Sequence, residues 1–216
     1  MSISAKMVKE LREKTGAGMM DCKKALVENN GDVAKAVEYL QKKSLAAVAK
    51  RAGKVAAEGA VFSYIHDNRI GALVEVNCET DFVARGEAFQ ALIKDVAMQV
   101  VASNPTYVSS DEIPADVTAK QSEIYGAQLL EEGKPAAMLE KIMPGKLKKW
   151  HSEICLLNQA FIKDDKKTVA DYIAEVSSTC GEKISMRRFV RFELGDGIEK
   201  KEEDFAAEVA AAISDV

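Results

Sequence analysis

The stretch AVFSYIHDNRIGALVEVNC, Ala60 to Cys78, and its continuation ETDFVARGEAFQALIKDVAMQVV, Glu79 to Val101, settle the class of fold. Residues 60–65 and 70–78 are apolar and β-branched with a period of two, which predicts two strands. His66-Asp67-Asn68-Arg69 between them reads as a hairpin loop. The period then changes to that of a helix. Phe89, Leu92, Ile93, Val96, Ala97 and Val100 fall at i, i+3, i+4, i+7, i+8 and i+11, and Pro105 follows the end of that stripe. Strands followed by an amphipathic helix predict an α+β body, a small antiparallel sheet with helices against one face.

Working outward, residues 1–51 predict three short helices. Ser4 caps the first, Met7, Val8 and Leu11 share its buried face, and Gly16 ends it. Residues 19–29 form the second around Cys22, Ala25 and Leu26. Asp32 caps the third, which carries Val33, Ala36, Val37 and Leu40. These stripes have only one another to bury against, so residues 1–53 are expected to form a three-helix module and 54–216 the core domain. Residues 114–154 predict a projecting helical hairpin turning at Gly133-Lys134-Pro135, with Pro144-Gly145 kinking its return arm. A strand is expected over 155–162, then a capping box from Thr168 to Asp171 and a helix that Gly181 closes. Residues 184–194 alternate: Ile184, Met186, Val190, Phe192 and Leu194 on one side, Ser185, Arg187, Arg191 and Glu193 on the other, with Arg188 and Phe189 out of phase. Phe205, Val209, Ala212 and Ile213 predict a last helix over about 204–214.

The chain of 216 residues is 47% hydrophobic and 30% charged, which excludes a disordered or low-complexity protein. No apolar run nears the ~20 residues of a membrane span, and no secretory signal is expected. Cys22, Cys78, Cys155 and Cys180 are widely spaced, so neither a disulfide scaffold nor a zinc site is written here. The expectation is a cytoplasmic protein of a reducing compartment. Residues 1–58 hold 12 Lys and Arg against 7 Asp and Glu, whereas the remainder carries a net −9. A basic head on an acidic body suggests two surfaces for different partners.

Candidate chemistry is sparse. Neither G-x-x-x-x-G-K-[ST] nor G-x-G-x-x-G occurs, so no nucleotide cofactor is expected. Cys155 lies four residues after His151, which could activate a thiol, but it opens an apolar run and reads better as a core residue. His66 reads as a surface residue of the hairpin. The segment EVNCETDFVAR, Glu75 to Arg85, is less ordinary. Thr80 or Asp81 can cap a helical turn with Phe82 in the core. Alternatively, Asp81 and Phe82 form a solvent-facing carboxylate and aromatic wedge that anchors in another protein's pocket.

Three stretches carry a resemblance: LREKTGAGMMDCKKAL (Leu11 to Leu26), EVNCETDFVAR, and FVRFELGDGIEKKEEDFAAEVA (Phe189 to Ala210). Together they resemble the elongation factor Ts family, whose members exchange guanine nucleotide on the translational GTPase elongation factor Tu. The resemblance implies a protein without an active site of its own, acting by binding the GDP form of that GTPase. It implies that residues 1–53 resemble a ubiquitin-associated fold, with Leu11, Met19 and Met20 as contacts to the nucleotide-binding domain. Thr80, Asp81, Phe82 and Val83 would be the intruding loop. There Phe82 wedges between helices of the GTPase and Asp81 disturbs the groups ordering its magnesium ion.

The chain carries one core unit where longer members have two in tandem. Short forms pair, which implies a homodimer binding two GTPase molecules, its interface built from the core sheet with strand 184–194. Phe189 on an otherwise polar face suggests that this face is covered. Longer members have histidines where this chain has Asp95 and Gln99, so contacts from that helix are in question. A nucleic-acid-binding head and a thiol enzyme using Cys155 or Cys78 are the competing readings. The first would show steep salt dependence and the second ready alkylation near neutral pH.

Overall fold

The computed structural model describes residues 3–51 and 53–198, and its architecture is α+β. Helices α1 (Ala5–Thr15), α2 (Met19–Glu28) and α3 (Val33–Arg51) precede strands β1 (Glu58–His66) and β2 (Ile70–Cys78). A one-turn helix α4 (Asp81–Ala84) leads into α5 (Glu87–Ser103). The hairpin of α6 (Ala115–Glu131) and α7 (Ala136–Ile154) follows, and α7 continues through Pro144 without interruption. The short strands β3 (Ala160–Phe161) and β4 (Asp164–Thr168), helix α8 (Val169–Cys180) and strand β5 (Ser185–Glu193) complete the body. The helix expected over 204–214 lies outside the described residues.

Local chemistry sets these boundaries. Ser4 Oγ accepts the Met7 N–H at 3.2 Å, and Gly16 ends α1 in the left-handed region. Asp67 and Asn68, both at positive φ, make the two-residue turn between β1 and β2, a geometry whose twist suits paired strands. Thr168 and Asp171 form the expected capping box.

Two buried clusters result. Val8, Leu11, Cys22, Ala25, Leu26, Ala36 and Leu40 fill the space between α1, α2 and α3. In the body, β2 is the central strand of an antiparallel sheet ordered β1-β2-β5. Its Ala72, Val74, Val76 and Cys78 point to one face, against Phe89, Leu92, Ile93, Val96 and Val100 of α5. Ser44 Oγ of α3 donates to the Ala174 carbonyl of α8 at 3.4 Å, joining the helical module to the body.

Two expectations are corrected. Residues 155–162 are not one strand: a 3₁₀ turn occupies Leu156–Asn158, and only Ala160 and Phe161 pair, with β4. The backbone of that run is satisfied elsewhere, Leu156 N–H by Tyr107 O and Leu157 N–H by Val108 O. β4 itself, DDKKT, has no apolar side to betray it. The second correction concerns β5. A register shift between Glu75 and Val76 leaves Arg187 as an extra residue, which moves every later side chain to the opposite face. Ile184 and Met186 are buried, whereas Val190, Phe192 and Leu194 are exposed. Phe189 packs against the core. The face it occupies is therefore already covered by this chain, and the open face of the sheet is the apolar one.

Candidate functional site

The segment after β2 is built from its backbone outward. Pairing with β1 stops at Cys78, opposite Glu58, and Glu79 and Thr80 carry the chain off the sheet. Thr80 is the N-cap of α4: its Oγ1 accepts the Val83 N–H at 3.4 Å. One helical turn then divides four side chains between two environments. Ala84 is buried and Val83 packs partly against the core, while Asp81 and Phe82 face out. Phe82 is 84% exposed, so its reading as a core residue fails. Asp81 pairs with Arg85 at 3.0 Å, and both are exposed to solvent. The site presents an aromatic ring beside a carboxylate on a base that the core holds. Cys78 Sγ tightens that base by donating to the Thr80 carbonyl at 3.1 Å.

The base has a second support that the sequence reading missed. The Glu182 carboxylate, from the turn between α8 and β5, accepts the Glu79 and Thr80 N–H groups and the Thr80 hydroxyl. Lys54, just after α3, donates to the Glu79 carboxylate at 2.7 Å. Together with the Lys183 N–H, Lys54 holds that carboxyl below its usual range. No local motif marks Glu182, because the partners of its carboxylate lie 102 residues away or more.

The other candidates separate by burial. Met19 and Met20, in the first turn of α2, are exposed, and Met20 the more so. Leu11, by contrast, is fully buried among the residues of the helical cluster. Asp95 and Gln99 are buried and committed within the chain. Asp95 accepts Lys163 Nζ at 2.6 Å and the Tyr172 hydroxyl at 3.1 Å, and burial with this carboxylate pushes the Tyr172 phenol up. Gln99 donates to Gln159 Oε1 and the Ala160 carbonyl and accepts the Ile162 N–H, pinning β3 to α5. Neither side chain is presented to a partner.

Thiol chemistry has no support in this geometry. Cys78 and Cys155 are fully buried, and burial raises both thiols, the opposite of what a nucleophile needs. His151 meets Cys155 through its backbone carbonyl. His66 lies exposed at the end of β1. Among the described residues no helix is long and apolar enough to cross a membrane.

Comparison with known proteins supplies the family. The sequence model of Elongation factor TS matches residues 1–196. Curated proteins named elongation factor Ts are similar along nearly the whole length of both chains. The relative from Desulforamulus reducens is 58% identical over 212 residues, covering 98% of each chain. That from Anaeromyxobacter dehalogenans is 61% identical over 97% of this chain and 96% of its own. That from Geobacter sulfurreducens is 58% identical over 98% of this chain and 99% of its own. With the α+β fold and all three quoted motif regions beginning inside the matched span, the chain belongs to the elongation factor Ts family, a family of translation elongation factors.

Proposed function

We propose that this chain is a guanine-nucleotide exchange factor for elongation factor Tu, which binds the GDP form, disturbs its magnesium site and promotes GDP release during translation elongation. The observation that carries the reading is Phe82, a large apolar ring held out in solvent beside Asp81 on a buttressed turn. Nothing in the body gains from that exposure, whereas a partner's pocket would. Magnesium bridges a nucleotide phosphate to protein and water oxygens, so a carboxylate and a wedge that shift those groups weaken the nucleotide. Linkage then makes the nucleotide weaken the factor equally, and each ligand helps expel the other. Every tenfold of weakening takes ~1.4 kcal/mol of differential binding. A buried aromatic anchor supplies about 2–4 kcal/mol, so Phe82 acts together with other contacts. Met19 and Met20 are the second such surface, adaptable apolar side chains at the start of α2, with Leu11 in the cluster of the same module. The chain works by binding, without a cofactor or a chemical step of its own, in the cytoplasm.

The open sheet face supports a homodimer. Val61, Ile65, Leu73, Val190 and Phe192 project from its three strands into solvent, with Phe192 72% exposed. A second copy of this surface would cover it, giving a complex of two factors and two GTPase molecules. Exchange is tested by loading elongation factor Tu with fluorescent GDP and magnesium, adding excess unlabelled GDP, and following release with substoichiometric factor. The wild-type chain should turn over several GTPase molecules, and Phe82→Ala should lower the rate about tenfold or more while the unfolding midpoint holds. A wild-type chain without effect, or Phe82→Ala at the wild-type rate, would overturn the reading.

A further inference from the structure

The exchange loop is held by groups remote from it in sequence. Beyond Cys78 the Glu79 and Thr80 N–H groups have no strand partner, and backbone donors left unpaired there would favour other loop conformations. Glu182 supplies the acceptor for both, Oε2 lying 3.2 Å from Glu79 N and 3.0 Å from Thr80 N. Its Oε1 accepts the Thr80 hydroxyl at 2.7 Å. That bond fixes the direction of the hydroxyl: its single proton goes to Glu182, leaving a lone pair for the Val83 N–H of α4. Thr80 thus relays the position of Glu182 directly to the turn that carries Asp81 and Phe82.

The arrangement is reciprocal. The Glu79 carboxylate reaches back to accept the Lys183 N–H at 2.7 Å, so each of two neighbouring acidic residues binds backbone beside the other. Two facing carboxylates would repel, but Lys54 Nζ at 2.7 Å from Glu79 and the four N–H and O–H donors offset that repulsion. The supporting turn is itself fixed. Gly181 closes α8 in the left-handed region, and the Ser177 hydroxyl donates to the Glu182 carbonyl. Lys183 Nζ donates to the Lys54 carbonyl at 2.8 Å, which brings the segment leaving α3 into the same cluster. The exits of the helical module, of β2 and of α8 therefore converge beneath the loop.

From this we infer that Glu182 is a positioning residue for nucleotide exchange, holding the Asp81–Phe82 turn in its productive direction through Thr80 without touching the GTPase. The inference rests on the exchange reading above. Misplacing a working group by about an ångström costs large factors in rate, so the effect falls on the rate at saturation more than on affinity. Glu182→Ala should lower the maximal GDP-release rate roughly tenfold with the half-saturating GTPase concentration changed less than about threefold. It should also speed amide hydrogen exchange at Glu79 and Thr80 in the isolated factor. Glu182→Gln should restore most of the rate. Its carbonyl can accept both N–H groups, and its amide can donate to the Thr80 hydroxyl, which keeps a lone pair for Val83. A purely structural role would lower thermal stability in step with activity and would not split rate from affinity in this way. Wild-type rates in Glu182→Ala would overturn the inference, as would equal impairment of both variants or unchanged amide exchange at Glu79 and Thr80. A wild-type factor that fails to release GDP would overturn the exchange reading and the role of Glu182 with it; unchanged amide exchange would overturn the clasp alone.

Discussion

The two faces of the three-stranded sheet are made from the same strands and nearly the same residue types, yet they have opposite fates. On the inner face Val74, Val76 and Cys78 lie against α5 with no access to solvent to speak of. On the outer face Val61, Ile65, Leu73, Val190 and Phe192 are as apolar and remain uncovered. Alternation distributes apolar residues to two sides, but among the described residues only one side meets a helix of this chain. A sheet apolar on both faces with one helical layer is half of a sandwich, and the proposed second copy would supply the other half.

The comparison is sharpened first on the inner face. Phe89 of α5 is fully buried against β2, so Phe89→Ala should cost about 3–5 kcal/mol in urea unfolding through lost contact and the cavity left behind. A loss no greater than that of an exposed position would mean that the inner face is not the core. A smaller effect on folding and a visible one on assembly is expected outside. The proposed homodimer should appear in light scattering at twice the chain mass at micromolar concentration, and Phe192→Glu should halve it. Because Phe192 has little contact within its own chain, unfolding of the separated subunit should shift by less than about 1 kcal/mol. A wild-type monomer at that concentration would break the pairing of the outer face.

The smallest expected effect is electrostatic and also confined to the outer face. There Glu75 accepts hydrogen bonds from Arg188 and Arg187, which hold its carboxyl below the usual range. A lowered carboxylate favours the folded state above its ordinary titration range, near pH 4.3, and loses that contribution as pH falls through the lowered value. The melting temperature of Glu75→Gln should therefore lie slightly below wild type at neutral pH and converge with it in acid. A constant gap between the two across this range would assign the effect to packing instead.

Legibility in the sequence followed the range of the interactions. Where a few neighbouring residues decide the outcome, the reading was close: the β1–β2 hairpin with its Asp67-Asn68 turn, the stripe of α5, and the Thr168–Asp171 capping box. The bulge opposite Glu75 has no local signature, since it is a property of two strands more than 100 residues apart, and it inverted the expected faces of β5. β4 escaped because a short charged strand looks like a loop. In the candidate site the same division holds. Thr80 was a readable cap and Phe82 a readable oddity, whereas Glu182 became visible only when the turn after α8 was seen under the loop.

Helix α4 has four residues, far below the length at which a helix persists on its own in water. Its shape in the free chain is thus set by what grips its ends and by the packing of Val83 and Ala84 on the core. A loop that had to search for its bound form would enter a partner slowly, in proportion to the small fraction of time spent correctly arranged. Here the turn is formed and held within the isolated chain, which favours association governed by collision and orientation. On the proposed function, a factor that visits many GTPase molecules in succession would gain most from that property, because each visit would begin without a folding step.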